Sequence, residues 1–235
     1  MFNIVFRWQL AAMLLLSGTS FAQEIKQPLP YDSLYRMRPI NFRRELFIPG
    51  SLILAGIAAN GNGPEGFKKE LVEERNEYMS AFHTQIDNYL QYAPIAIAYG
   101  LDAAGIPSRT DIRNRTAILI KGEAMMFATV SLLKNTTHQL RPDGTTYNSF
   151  PSGHTAQAFA AATFLSEEYK HRFHWMPYAA YGVASAVGGL RIANNRHYVS
   201  DVLVGAGLGI LSMKMAYWTH QYKWNKKHKA VAGPF

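Results

Sequence analysis

Six apolar stretches run along the chain, at roughly 47–60, 89–106, 117–133, 154–168, 176–190 and 199–218, each rich in alanine, leucine, isoleucine or methionine. Mostly short polar linkers separate them, the pattern of helices packed as neighbours in a bundle. Between the first and second lies a charge-dense segment, 67–87, whose Phe67, Leu71, Tyr78 and Phe82 fit one face of an amphipathic helix. The pattern predicts an all-α fold, a bundle of about six core helices spanning 46–220. No stretch reaches 18 uninterrupted apolar residues: Asp102 interrupts the second, Lys121 and Glu123 the third, and Lys214 the sixth. Length alone therefore leaves two readings, a soluble bundle or a membrane-associated one.

The ends of the chain read differently. Residues 1–22 resemble an export leader, with Arg7 before the apolar run Leu10–Leu16 and small residues at Ser20 and Ala22 for cleavage; an uncleaved membrane anchor is the alternative. Residues 23–45, with Pro28, Pro30 and Pro39, read as an extended arm, and 221–235 as a basic tail.

Composition narrows the picture. The chain has 235 residues, 48% of them hydrophobic and 17% charged, which excludes intrinsic disorder. It has no cysteine, which excludes a disulfide scaffold and thiolate chemistry. Mean hydropathy is −0.11, too low for a heavily lipid-immersed transporter. The net charge of +8 is uneven in its placement. Arg109, Arg113 and Arg115 follow the second stretch, Lys170 and Arg172 the fourth, and Lys223, Lys226, Lys227 and Lys229 the sixth. In an alternating bundle all three groups fall at one end, as a positive-inside bias requires, and this favours membrane association. An exported apolar bundle has no basic face interleaved with aromatics, so no nucleic-acid partner is expected.

The chemistry falls at the other end. Lys134 and Arg141 follow the third stretch, Ser152-Gly153-His154 open the fourth, Arg191 closes the fifth, and His197 stands four residues before Asp201 at the start of the sixth. Singly, the cations read as solvated helix ends and the His197–Asp201 pair as a surface hydrogen bond or two metal ligands. Together they suit phosphate. Two arginines and a lysine match the non-bridging oxygens of a phosphoryl group, and a helix start at Ser152-Gly153 offers unpaired N–H donors to an anion. A carboxylate one turn from His197 can hold Nδ1–H and present Nε2 as a nucleophile. His154 can protonate the leaving oxygen. No cofactor or metal is called for.

These motifs, Lys134-x6-Arg141-Pro142, Pro151-Ser152-Gly153-His154 and Arg191-x5-His197-x3-Asp201, resemble the three-part signature of the type 2 phosphatidic acid phosphatase and vanadium haloperoxidase superfamily. The resemblance covers about 130–210. It implies a helical bundle in which Lys134, Arg141, Ser152, Gly153 and Arg191 bind phosphate. His154 would be the general acid, His197 the nucleophile and Asp201 its orienting partner. It further implies a phosphorylated lipid as substrate, such as lipid A, phosphatidylglycerophosphate, phosphatidate or undecaprenyl pyrophosphate. The alternatives are a soluble periplasmic acid phosphatase, a vanadium haloperoxidase and a non-catalytic membrane scaffold. Leu190 stands where the family usually has serine, and only eight residues (143–150) separate Pro142 from Pro151, among them Asp143, Tyr147 and Asn148, candidates for substrate contact that better suit turn formation.

Topology follows from parity. The first stretch of about 14 residues is roughly 21 Å long as a helix, short of a hydrocarbon core of about 30 Å. Five spanning helices, a first helix lying in or dipping into the periplasmic face, and a site facing the periplasm from a bacterial inner membrane are expected.

Overall fold

A computed structural model describes residues 42–61 and 66–221. The expected leader, most of the arm and the basic tail beyond 221 lie outside the described residues.

Eight helices and no strands are found among the described residues: α1 (Phe42–Ala59), α2 (Phe67–Tyr78), α3 (Asp87–Leu90), α4 (Ala93–Ala103), α5 (Ile112–Thr137), α6 (Gly153–Tyr169), α7 (Met176–Ala193) and α8 (Val199–Trp218). The fold is all-α, and each of the six apolar stretches is represented. Local signals set the boundaries. Pro94 opens α4 and separates it from α3, dividing the second stretch in two. Asp111 caps α5 by accepting from the N–H groups of Arg113 and Asn114, and His138, at φ 44°, ends it in the left-handed region.

Helix α8 is the centre. Gly205 and Gly209 let it approach α6 backbone to backbone: a Cβ at Gly209 would stand 2.2 Å from the Ala156 carbonyl, and one at Gly205 2.5 Å from that of Ser152. On another face, a Cβ at Gly207 would stand 2.7 Å from the Pro49 carbonyl of α1. Small residues at such spacings allow close contact where large side chains cannot interdigitate.

Two expectations about the N-terminal part are corrected. Helix α1 begins at Phe42, inside the predicted arm, because Pro49 interrupts only its middle. Its 18 residues make it about 27 Å long. It runs antiparallel to α8 over nearly the whole of that helix: Lys214 pairs with Glu45, Gly207 meets Pro49 and Ile53, and Gly56 meets Ser200 and Val204. Helix α1 is thus packed along α8 as a full member of the bundle. The second correction concerns the amphipathic segment. Its helix stops at Tyr78, which is 79% exposed, and Phe82 lies beyond it; among the described side chains of α2 the buried one is Lys68, which donates to the backbone and side-chain oxygens of Asn60.

Of the three basic groups, the one beyond residue 221 lies outside the described residues, and the other two can be followed. Arg109 pairs with Glu167, and Lys170 with the same carboxylate, at the end where α4 meets α5 and α6 meets α7. Arg115 is no solvated cation: it is fully buried inside α5, stacked on the Tyr99 ring and paired at 2.9 Å with Asp102 of α4. The charge interrupting the second stretch thus serves to join two helices. Among the described residues, α5 and α8 are long and apolar enough to cross a membrane, α5 with most of its length exposed and α8 mostly buried in the bundle.

Candidate active site

At the opposite end, the turn joining α7 to α8 presents His197, 2% exposed. Its Nδ1 lies 3.4 Å from Asp201 Oδ2, placed to donate, which leaves Nε2 for chemistry. Asp201 is fully buried and its orientation is over-determined. Oδ2 also accepts from Ser149 Oγ at 2.5 Å and from the backbone N–H of Tyr198 at 3.0 Å, while Oδ1 faces Gln139 Nε2 and Ser200 Oγ at 3.4 and 3.3 Å. The bond to Tyr198 makes the same carboxylate a cap for α8, where the helix dipole favours negative charge. Burial pushes the His197 imidazole down to about 4 against the pull of Asp201, and the nearby charges of Lys134 and Arg191 push the same way. At neutral pH the ring is therefore the uncharged, nucleophilic form.

Three cations stand around the His197–Asp201 pair. Lys134, in the last turn of α5, donates to the Asn148 carbonyl. Arg141, in the following loop, has its guanidinium lowered by burial and by the adjoining charges of Arg191 and Arg196. Arg191, in the last turn of α7, donates through Nη1 to buried Asp87 at 2.5 Å. The Nε–H groups of both arginines are buried without a hydrogen-bond partner. Unspent donors on crowded like charges demand an anion.

The start of α6 lies beside them. The Ser152 hydroxyl faces Thr155, capping the helix, and its backbone N–H donates to the Asp201 carbonyl at 3.0 Å, which ties the second motif to the third. The expected phosphate contact of the Ser152 hydroxyl thus competes with a capping bond. A Cβ at Gly153 would come no nearer than 3.9 Å to Lys134 Cε and Val130, so protein packing does not demand glycine here; the open space faces the lysine. His154 follows, its Nε2 2.8 Å from Asn88 Oδ1. All eight residues singled out in the sequence thus gather at one end of the bundle.

The sequence reading missed Asp87 and Asn88. They sit on α3, a four-residue helix, and their only signal was a polar pair opening an apolar stretch. A strap from the same region holds the α7–α8 turn: Asn194 exchanges bonds with the backbone of Thr84, and Arg75 Nε donates to the Ala193 carbonyl. The loop between Pro142 and Pro151 is a turn, as its residues suggest. Asp143 accepts from the N–H and hydroxyl of Thr145 and pairs with Arg196 at 3.0 Å, and Tyr147 is exposed. Among the described residues no group of three or more His, Asp or Glu side chains is arranged to hold a metal ion.

Residues 116–225 match the family model described as the PAP2 superfamily. The PAP2 region contains all three motifs but neither Asp87 nor Asn88. Over 162 residues the chain is 41% identical to a lipid A 1-phosphatase of Porphyromonas gingivalis, a match covering 64% of this chain and 36% of that protein. Over 72 residues it is 40% identical to the bacitracin transport permease protein BcrC of Bacillus licheniformis, covering 31% of this chain and 34% of that one. The chain thus spans about a third of the length of each curated relative. Among solved structures it is similar to LpxE of Aquifex aeolicus, with 24% identity and a TM-score of 0.48 over 63% of this chain and 94% of that one. It is also similar to a transmembrane PAP2-type phosphatidylglycerolphosphate phosphatase of Bacillus subtilis, with 20% identity and a TM-score of 0.45 over 73% and 95%.

Proposed function

We propose that this PAP2 protein is a metal-independent phosphatase that removes phosphate from a membrane lipid through a phosphohistidine. The observation that carries the reading is the buried His197–Asp201 pair, its Nε2 left uncommitted among Lys134, Arg141 and Arg191. In the first half-reaction His197 Nε2 forms a bond to phosphorus as the bond to the leaving oxygen breaks. The electron pair departs with that oxygen, which takes a proton from His154. Asp201 stabilises the positive charge that builds on the His197 ring, and the three cations balance the phosphoryl oxygens. In the second half, water gives its proton to His154 and attacks phosphorus, the P–N electrons return to His197, and inorganic phosphate leaves.

Lipid A 1-phosphate is the substrate we infer, because a relative 41% identical over 162 residues carries the name lipid A 1-phosphatase. The surface supports a lipid over a soluble ester. Phe47 and Leu54 on α1 and Ile120, Phe127 and Leu132 on α5 are each at least 63% exposed, large apolar side chains turned outward on two helices, as on a surface that meets hydrocarbon. Exposed aromatics stand at both ends, Tyr89 and Tyr92 beside the site and Trp175 and Tyr178 at the basic end, as at two membrane interfaces. With Arg43, Arg44, Arg113, Lys170 and Arg172 at the end away from the site, the positive-inside bias turns the site toward the periplasm and has α1 rise from the cytoplasmic side.

The test is phosphate release from lipid A, phosphatidylglycerophosphate, undecaprenyl pyrophosphate and p-nitrophenyl phosphate by the purified protein in detergent. Lipid A is expected to be the preferred substrate, with turnover abolished in His197→Ala. Preference for the soluble aryl ester would favour an acid phosphatase.

A further inference from the structure

Resting on the phosphatase reading, we propose that Asn88 is a positioning residue: it holds the His154 ring by Nε2 so that Nδ1 delivers the proton to the leaving oxygen.

His154 is the second residue of α6, and an N-terminal residue of a helix has no preceding turn to pack its ring. Its Nε2 is instead 2.8 Å from Asn88 Oδ1, across a gap of 66 residues. An imidazole has two nitrogens, and a partner fixed at one determines which edge faces the reaction. With Nε2 committed to an amide oxygen, Nδ1 is the atom left for the substrate. Asn88 itself is anchored from behind. Its neighbour Asp87, 1% exposed, is clamped by Arg191 Nη1 at 2.5 Å and faces Asn194 Nδ2 at 3.4 Å. One turn of helix therefore touches a phosphate-facing arginine through Asp87 and the general acid through Asn88. Burial pushes the His154 ring down to about 4; of the charged and titratable groups around it, Arg191 from α7, His197 from the α7–α8 turn and Arg141 from the α5–α6 loop push the same way and Asp87 from α3 opposes them, so the ring holds its second proton only beside the negative charge of a bound phosphate. None of them supplies the hydrogen bond that Asn88 makes.

A neutral amide suits this role. Accepting from Nε2–H, it leaves the ring free to gain a proton at Nδ1 from attacking water and lose it to a leaving oxygen. A carboxylate at the same place would hold the proton more tightly.

Two variants of the full-length protein test this, each assayed on an alkyl phosphate and on p-nitrophenyl phosphate. The alkoxide needs a proton as it leaves, and the nitrophenolate does not. Asn88→Ala should slow the alkyl ester by about a hundredfold, the lower range of general-acid effects, and the aryl ester by no more than about threefold on the same grounds. Asn88→Asp keeps an acceptor in place, and should move the alkaline limb of the alkyl-ester profile up by about one pH unit or more, as an adjacent carboxylate does. Equal losses on both esters in Asn88→Ala, or an alkaline limb unmoved in Asn88→Asp, would overturn the assignment and leave Asn88 a packing residue. Should Asn88→Ala fail to fold, the Asn88→Asp limb decides alone. A wild-type protein that releases phosphate from neither ester would overturn the phosphatase reading as well, so the two failures are distinguishable.

Discussion

Replacing Asp201 with asparagine removes one charge while keeping the shape of a buried side chain. Three donors, Ser149 Oγ, Tyr198 N–H and His197 Nδ1, converge on Oδ2, so the amide oxygen takes that place. The new NH2 then faces Gln139 and Ser200, whose side chains can turn to accept. The fold should lose only about 1–3 kcal/mol, the range for disturbing a buried hydrogen-bonded group. Chemistry should lose more. When Nε2 takes the phosphoryl group, the His197 ring gains a positive charge 3.4 Å from the carboxylate. At an effective dielectric of about 20 that pair is worth about 5 kcal/mol, or between three and four decades in rate. Single-turnover quenching should show phosphoenzyme formation slowed by two to four decades, while circular dichroism shows an unchanged helical spectrum. A variant within tenfold of wild type would refute the claim that Asp201 stabilises the charged ring.

Other consequences are as direct. Activity should persist in EDTA, and vanadate, which mimics the transferring phosphoryl group, should inhibit competitively; loss on chelation with recovery on adding a divalent metal would contradict the donor set described. His197 is held below its unfolded value of about 6.5, so the unfolded chain binds the extra proton first as pH falls. Its contribution to stability is complete above that value and lost as pH drops toward about 4; the Tm of wild type should fall across this window, and that part of the fall should be absent in His197→Gln. Gly209→Ala places a methyl 2.2 Å from the Ala156 carbonyl and should cost about 1–3 kcal/mol by thermal unfolding. Cysteines introduced singly into this cysteine-free chain test the topology: Thr145 should react with an impermeant thiol reagent from the periplasm, and Ser108 and Arg43 should be protected.

Much of this was legible in the sequence because it is written locally. The last three apolar stretches coincide with α6, α7 and α8 to within a few residues, since no proline or glycine turn breaks them before their caps. The three motifs meet because each lies at a helix end and alternation brings those ends together. What escaped depends on long-range packing. Asp87 and Asn88 acquire their roles only when α3 is set against α7 and α6. Arg115 reads as a surface cation until Asp102 of α4 is placed beside it. The length of α1 was underestimated because charged residues at its start, Arg43, Arg44 and Glu45, hide helical turns that Lys214 of α8 stabilises.

The central claim is that phosphate passes through His197. Mixing the enzyme with labelled substrate, quenching in alkali and mapping the label by peptide mass tests it most directly. The account predicts an alkali-stable, acid-labile phosphoryl group on His197, present in wild type, accumulating when water attack is slowed in His154→Ala with an activated aryl ester, and absent in His197→Ala. Label on another side chain, or label retained in His197→Ala, would contradict it.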